Sequence, residues 1–236
     1  MDEITTSTET VAARLILDGS WEAASIAAAT DSLVMALAKR EGLVAPAELL
    51  QSAVNQFLGE HGLGEKASRD AWLDSFGLSI DQLNQFCEAQ LLRSALLASF
   101  AHADLLNWFD AHRELYSAAQ VSIQSFHHES DAWLIRNQQD ITILENLFWQ
   151  RQQADPALGV GTQSCWSFLK QFPDSVRDLV AEVDVGQCTP PVLINGYFRV
   201  YLITQKREAE FNAAVESEIR NDLLMNRLTQ LNADEA

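Results

Sequence analysis

Five histidines and three cysteines are the side chains in this 236-residue sequence best suited to move protons, attack carbon or bind metal near neutral pH. His127-His128 is the one adjacent pair; His61, His102 and His112 stand singly. A metal centre needs three or four ligands at suitable spacing, and nothing near His127-His128 supplies the rest, so the pair reads as a solvated loop. Cys87, Cys165 and Cys188 are far apart, with no CxxC among them. Ser164-Cys165 has no histidine close by in sequence and is not a nucleophile arrangement. Cys188, near Pro190, reads as packed. There is no phosphate loop, no GxGxxG and no HExxH. The polar residues thus name no catalytic set, and no cofactor or metal is expected.

The elements that would position a site are mostly helices in the first half. Ser20 to Arg40 is rich in alanine and leucine, which carry the smallest helix penalties, and Gly42 ends it. Pro46 opens the next helix, where its missing N–H costs nothing. Leu49, Leu50, Ala53, Val54, Phe57 and Leu58 follow at helical spacing. Ser68 and Ser79 are candidate caps for two more, the second running from Ile80 to about residue 101. Asp104 to about Tyr116 makes a further helix. Most of Trp72, Trp108, Trp133, Trp149 and Trp166 read as core. After Tyr116 the period changes from 3.6 to 2: Ala119, Val121, Ile123 and Ser125 alternate with Gln120, Ser122, Gln124 and Phe126. Two helices follow, from Ala132 and from Ile141, then a loop holding Pro156, Gly159 and Gly161, then a helix from Val176 to Val183. The end of the chain, from Arg207 to about Leu231, is an amphipathic helix roughly 35 Å long.

The most specific stretch is Gly186 to Thr204, GQCTPPVLINGYFRVYLIT. Pro190-Pro191 removes two backbone donors. Val192 to Ile194 reads as a short strand, Asn195-Gly196 as a type I′ hairpin turn, and Tyr197 to Ile203 as the return strand. Gly186, Thr189, Pro191, Val192, Gly196 and Tyr197 fall on the pattern that closes a parvulin-type peptidyl-prolyl isomerase domain, and the sequence resembles that family. Glu48-Leu49 to Gly62-Leu63, Ala71-Trp72-Leu73 and Gly77-Leu78-Ser79 resemble the helical module of SurA-like isomerases. Trp108 to Arg113 resembles the helix leading into their parvulin domain.

That resemblance implies an α+β chain: a SurA-like all-α module at 11–116, a parvulin-like domain with a small antiparallel sheet at 117–205, and a C-terminal helix at 206–232. The helix is expected to pack back on the module, with a homodimer contact as its alternative use. The family's site has two histidines on central strands, a Cys or Asp beside them, and an apolar pocket for the proline ring. Alignment places Ile123 and Phe198 at the histidine positions, Cys165 and Trp166 in the loop after Gly161, and Leu169 and Phe172 in the pocket. The catalytic residues are therefore unassigned, and the six together are the expected substrate contacts. The implied function is a peptide-binding chaperone or foldase-like accessory protein with a degenerate isomerase site, acting in maturation or export of a peptide client. An active isomerase and a peptide-modifying enzyme on a reused fold are the alternatives.

Charge narrows the partners. Acidic residues outnumber basic ones 33 to 16, a formal charge of −17, which opposes nucleic-acid binding and favours a proline-containing or basic client segment. The acidic start of the sequence, the sparse cysteines and the lack of any membrane-length apolar run lead to the expectation of a cytoplasmic protein without membrane insertion.

Overall fold

A computed structural model describes residues 8–138, 140–154 and 166–235. They fall into two compact units: one ends at His102 and resumes at Ser217, and the other runs from Ala103 to Glu216.

The first unit is helical: α1 (Thr8–Leu17), α2 (Ser20–Arg40), α3 (Ala47–Glu60), α4 (Lys66–Phe76), α5 (Ile80–Ser99) and the greater part of α10 (Ala213–Glu235). The punctuation expected from sequence recurs here. Gly77 closes α4 in the left-handed region at φ 63°. Ser79 opens α5 through a reciprocal capping box: its Oγ accepts from the Gln82 N–H at 3.2 Å, and the Gln82 side chain accepts from the Ser79 N–H at 2.8 Å. Val34, Leu37 and Ala38 of α2 and Leu96 of α5 are wholly buried. From α10, Ile219, Leu224, Leu228 and Leu231 are buried, and Arg220 donates through Nη1 to the Leu97 carbonyl at 2.6 Å. That cation satisfies a carbonyl that the end of α5 leaves open. Arg227 lies 4.4 Å from the Phe100 ring centroid and pairs with Glu41 at 3.0 Å.

In the second unit α6 (His102–Ala111) and a 3-10 turn (Arg113–Tyr116) lead into the sheet. Sequence grouped residues 103–116 with the helical module; they fall in the same compact unit as the sheet. Phe109 packs edge-on against Phe211, and buried Tyr116 packs edge-on against Phe168. Trp108 donates to the Tyr116 hydroxyl at 2.8 Å. β1 (Ala118–Phe126), α7 (Glu129–Arg136), α8 (Ile141–Ala154), β2 (Ser167–Phe168), α9 (Asp174–Glu182), β3 (Val192–Ile194) and β4 (Tyr197–Arg207) follow. The four strands form one antiparallel sheet in the order β2-β1-β4-β3. The α+β class and the small antiparallel sheet expected from the family resemblance are the ones found.

The hairpin is the one read from sequence. Asn195 at φ 52° and Gly196 at φ 81° both take the positive φ that a type I′ turn requires. Ahead of β3, Gly186 to Thr189 hydrogen-bonds along β4, and Thr189 Oγ1 accepts from the Tyr201 N–H. β2 went unread because two residues carry no periodicity. α10 begins six residues later than expected, at Ala213, where the Asn212 side chain accepts from the Ala214 and Val215 N–H groups.

Replacing Ser79 by Ala should cost about 1 kcal/mol of stability, and Leu37→Ala about 2–5 kcal/mol. Urea unfolding followed by far-ultraviolet circular dichroism checks both, and the ranking matters more than either value.

Candidate functional site

The two faces of the β1–β4 pair have different company. On one, Ala119, Val121, Ile123, Tyr201 and Ile203 pack with Leu169 and Phe172 and with Val176 and Val180 of α9. Val192 and Ile194 of β3 lie against that cluster. On the other, Phe126, Val200 and Leu202 pack with Ala132 of α7, Leu144 of α8 and Cys188, with Ile135 and Phe198 beside them.

Three of the six aligned contacts therefore come together. Ile123, Leu169 and Phe172 share one buried cluster, and the Phe172 ring meets Tyr201 edge-on at 6.4 Å between centroids. Phe198 does not join them. Ile123 stands opposite Tyr201, whereas Phe198 stands opposite Phe126. Partners in an antiparallel pair share a face and successive residues alternate, so Ile123 and Phe198 point to opposite sides of the sheet. The alignment that set them at one paired site is corrected by this register: the residue beside Ile123 on the return strand is Tyr201. Trp166 sits under the Arg207 guanidinium, 4.6 Å from its ring centroid, and is not part of the cluster. Cys165 lies outside the described residues.

All five histidines are described, and none is on β1 or β4. His61 stacks on Phe57 with Nδ1 2.8 Å from the Phe57 carbonyl oxygen; His112 stacks on Trp108 in the same way, at 2.9 Å from its carbonyl. Both finish helix-end contacts. His127, one residue beyond β1, lies 5.2 Å from the Tyr197 ring. Among the described residues no group of three or more His, Cys, Asp or Glu side chains is placed to hold a metal ion. No described helix is long and apolar enough to cross a membrane.

Burial sets the chemistry of what remains. The Cys188 thiol is pushed up to about 12 by desolvation, with the Arg136 charge opposing the rise. Desolvation raises Tyr201 above the usual phenol range, offset in part by the nearby Arg199 guanidinium. Neither is ionised at neutral pH, so neither is a nucleophile there.

Sequence reasoning missed a second feature, in the helical unit. Phe57 of α3, Trp72 of α4, Leu78 in the turn that follows, and Gln82, Leu83 and Phe86 in the first two turns of α5 line an open cleft of about 270 Å³. Its aromatic rings touch one another: Phe57 meets Phe86 edge-on, and Trp72 leans on Phe57 and Phe76. Phe76 is 65% exposed, Phe86 47% and Ile80 41%, so this apolar surface meets solvent rather than a neighbouring helix. A signal was present: Phe76, Leu78, Ile80 and Phe86 crowd eleven residues around a helix break, more apolar groups than one buried stripe takes up.

No family model and no curated protein matches the sequence. Among solved structures the chain is similar to peptidylprolyl isomerase PrsA from Bacillus cereus, at 15% identity and a TM-score of 0.47, over 97% of this chain and 86% of that one. It is similar to PrsA from Bacillus anthracis at 13% identity and 0.49, over 84% and 86%. A SurA-like chaperone of Campylobacter jejuni matches at 13% identity and 0.33, over 81% and 82%. These belong to the parvulin and SurA-like group that the sequence resembles.

Two outcomes follow from the geometry. The double variant Ile123→His with Phe198→His should show two independent imidazole titrations by NMR, while Ile123→His with Tyr201→His, whose side chains face each other, should show coupled ones. For Cys188, the folded pKa lies above the unfolded value. Its contribution is complete below about pH 9 and is lost as pH rises towards about 12. The stability gap between wild type and Cys188→Ala, measured by urea midpoints, should therefore narrow over that window.

Proposed function

We propose that this chain is a polypeptide-binding accessory protein of the chaperone or foldase kind, serving one client or a small class in peptide maturation or export. The observation that carries the reading is the exposed aromatic cleft of the helical unit. Apolar rings held open to water at the junction of three helices cost solvation unless something covers them for part of the time. A cleft of about 270 Å³ is sized for one or two apolar side chains rather than for a folded domain. The sequence likeness of this segment to SurA-like helical modules supports the same reading.

Charge suggests the client. Residues 57–90 carry Glu60, Glu65, Asp70, Asp74, Asp81 and Glu88 against Lys66 and Arg69, and Arg69 is paired with Asp70. An apolar anchor flanked by lysine or arginine suits that rim. The sheet unit belongs to the proposal as a degenerate isomerase: apolar and phenolic side chains occupy the face where the family carries its imidazoles. A cytoplasmic site of action is part of the same reading. The two buried free thiols, Cys87 and Cys188, sit comfortably in a reducing compartment.

Anisotropy titration with a labelled apolar-basic peptide tests the binding claim. Phe86→Ser removes an exposed ring without opening the core and should weaken binding about 10-fold, as expected for roughly 1.4 kcal/mol of lost apolar contact, with the melting temperature unchanged. Affinity should fall as salt rises; an affinity indifferent to both changes refutes the cleft. In a protease-coupled assay on proline peptides the chain should match buffer, and acceleration would restore the isomerase.

A further inference from the structure

At the end of the sheet away from the hairpin, the start of β1 and the end of β4 border an open cleft of about 380 Å³. It lies wholly within the sheet unit. Its apolar lining is mostly small: Ala118, Ala119 and Ala181, with Leu169. Four charged residues line it as well. Glu114 comes from the 3-10 turn, Lys206 and Arg207 from the end of β4, and Glu208 from just beyond it. Both cations are held in place. Lys206 is half-buried, and its Nζ donates to the Ala181 carbonyl, in the last turn of α9, at 2.6 Å. A cation suits that end of a helix. The Arg207 guanidinium rests on the Trp166 ring, 4.6 Å from its centroid. Among the described residues none of the four charges forms an ion pair. Burial pushes the Lys206 amine below its usual range, with the Asp184 charge opposing the fall.

An ammonium carries three donors, and Lys206 commits one of them to Ala181. The others, with the Arg207 guanidinium, can receive a carboxylate. Glu114 and Glu208 keep the cleft from favouring a bare anion, because two negative charges stand against two positive ones. A ligand of a single charge meets as many like charges as opposite ones. A ligand carrying both an ammonium and a carboxylate can match every one of them. The alanine-lined floor leaves room beside those charges for an aliphatic group. The volume falls within the range of small-ligand sites, roughly 300–1,000 Å³. We propose that this cleft binds an aliphatic zwitterion, a free amino acid or a short peptide, with Lys206 and Arg207 taking its carboxylate and Glu114 and Glu208 its ammonium. Such a ligand has no net charge, so the field of the −17 chain neither draws it in nor drives it off. Its affinity should change little with salt, unlike that of a basic segment at the helical cleft. The site does not rest on the polypeptide-binding reading.

The test is calorimetric titration of the full chain with leucine and with dileucine. Isocaproate, which lacks the ammonium, and isoamylamine, which lacks the carboxylate, are the single-charge comparisons. Leucine, dileucine or both should bind saturably and about 10-fold tighter than either comparison, as expected for one added charge-assisted contact. Lys206→Gln should weaken the zwitterion by about the same factor without weakening isoamylamine. Glu208→Gln should also weaken it, without weakening isocaproate. Glu208 is exposed, so this second variant keeps the test decisive if Lys206→Gln disturbs the fold by far-ultraviolet circular dichroism. Binding of leucine alone identifies a free amino acid, and binding of dileucine alone a short peptide; either supports the site. No binding of either, equal binding of a single-charge comparison, or affinity unmoved in both variants overturns it. If leucine binds while the labelled apolar-basic peptide does not, this site stands and the polypeptide reading falls. If the labelled peptide binds while leucine and dileucine do not, the reverse holds.

Discussion

The sheet unit depends on one constraint, the phase of β1 against β4. Nine residues of β1 pair along β4, with a single irregularity between Gln120 and Val121. That phase decides every side chain's address at once, because a strand has only two faces. It sends Ile123 and Tyr201 to the α9 side and Phe126, Phe198, Val200 and Leu202 to the side of α7 and α8. The irregularity is itself stabilised: Thr204 donates its hydroxyl to the Gln120 carbonyl at 3.0 Å. Burying both faces of the central pair does not exclude polar groups: Ser122 and Gln124 are buried opposite Leu202 and Val200 on the side of α7 and α8, and Ser125 is buried on the other side.

The two units manage apolar surface differently. In the helical one, α2 and α5 bury wholly apolar stripes, and the end of α10 adds four more buried aliphatic side chains. Where α4 turns into α5 that economy stops and aromatic rings stay wet. The fold could have closed this gap at small cost by replacing Phe76 or Phe86 with a polar residue. Its presence in a chain of net charge −17 is the physical basis for assigning the cleft a partner.

Sequence revealed most where chemistry is local. Gly77 and Ser79 mark a helix end and start because a left-handed φ and a capping hydroxyl are properties of single residues. Asn195-Gly196 fixed the hairpin for the same reason. The placement of Phe198 failed although the alternation within each strand was read correctly. Counting from Gly196 puts Phe198 at the family's position, but nothing in the order of residues says which face of β4 meets Ile123. That phase comes from pairing across roughly eighty residues of intervening chain. The aromatic cleft was more accessible, since Phe76, Leu78, Ile80 and Phe86 lie close in sequence, yet they straddle two helices and the turn between them, so no single helical stripe gathers them.

The edges of the sheet decide how it can be used. β2 is two residues long and β3 is three, and Pro190-Pro191 stands immediately before β3 without backbone donors. On the β3 border, then, no long row of free N–H and C=O groups is offered on which a visiting strand could zip itself. A guest there must be gripped by its side chains and not by its main chain. Recognition of that kind reads sequence, and that border gives the protein's own copies no template for stacking into fibres.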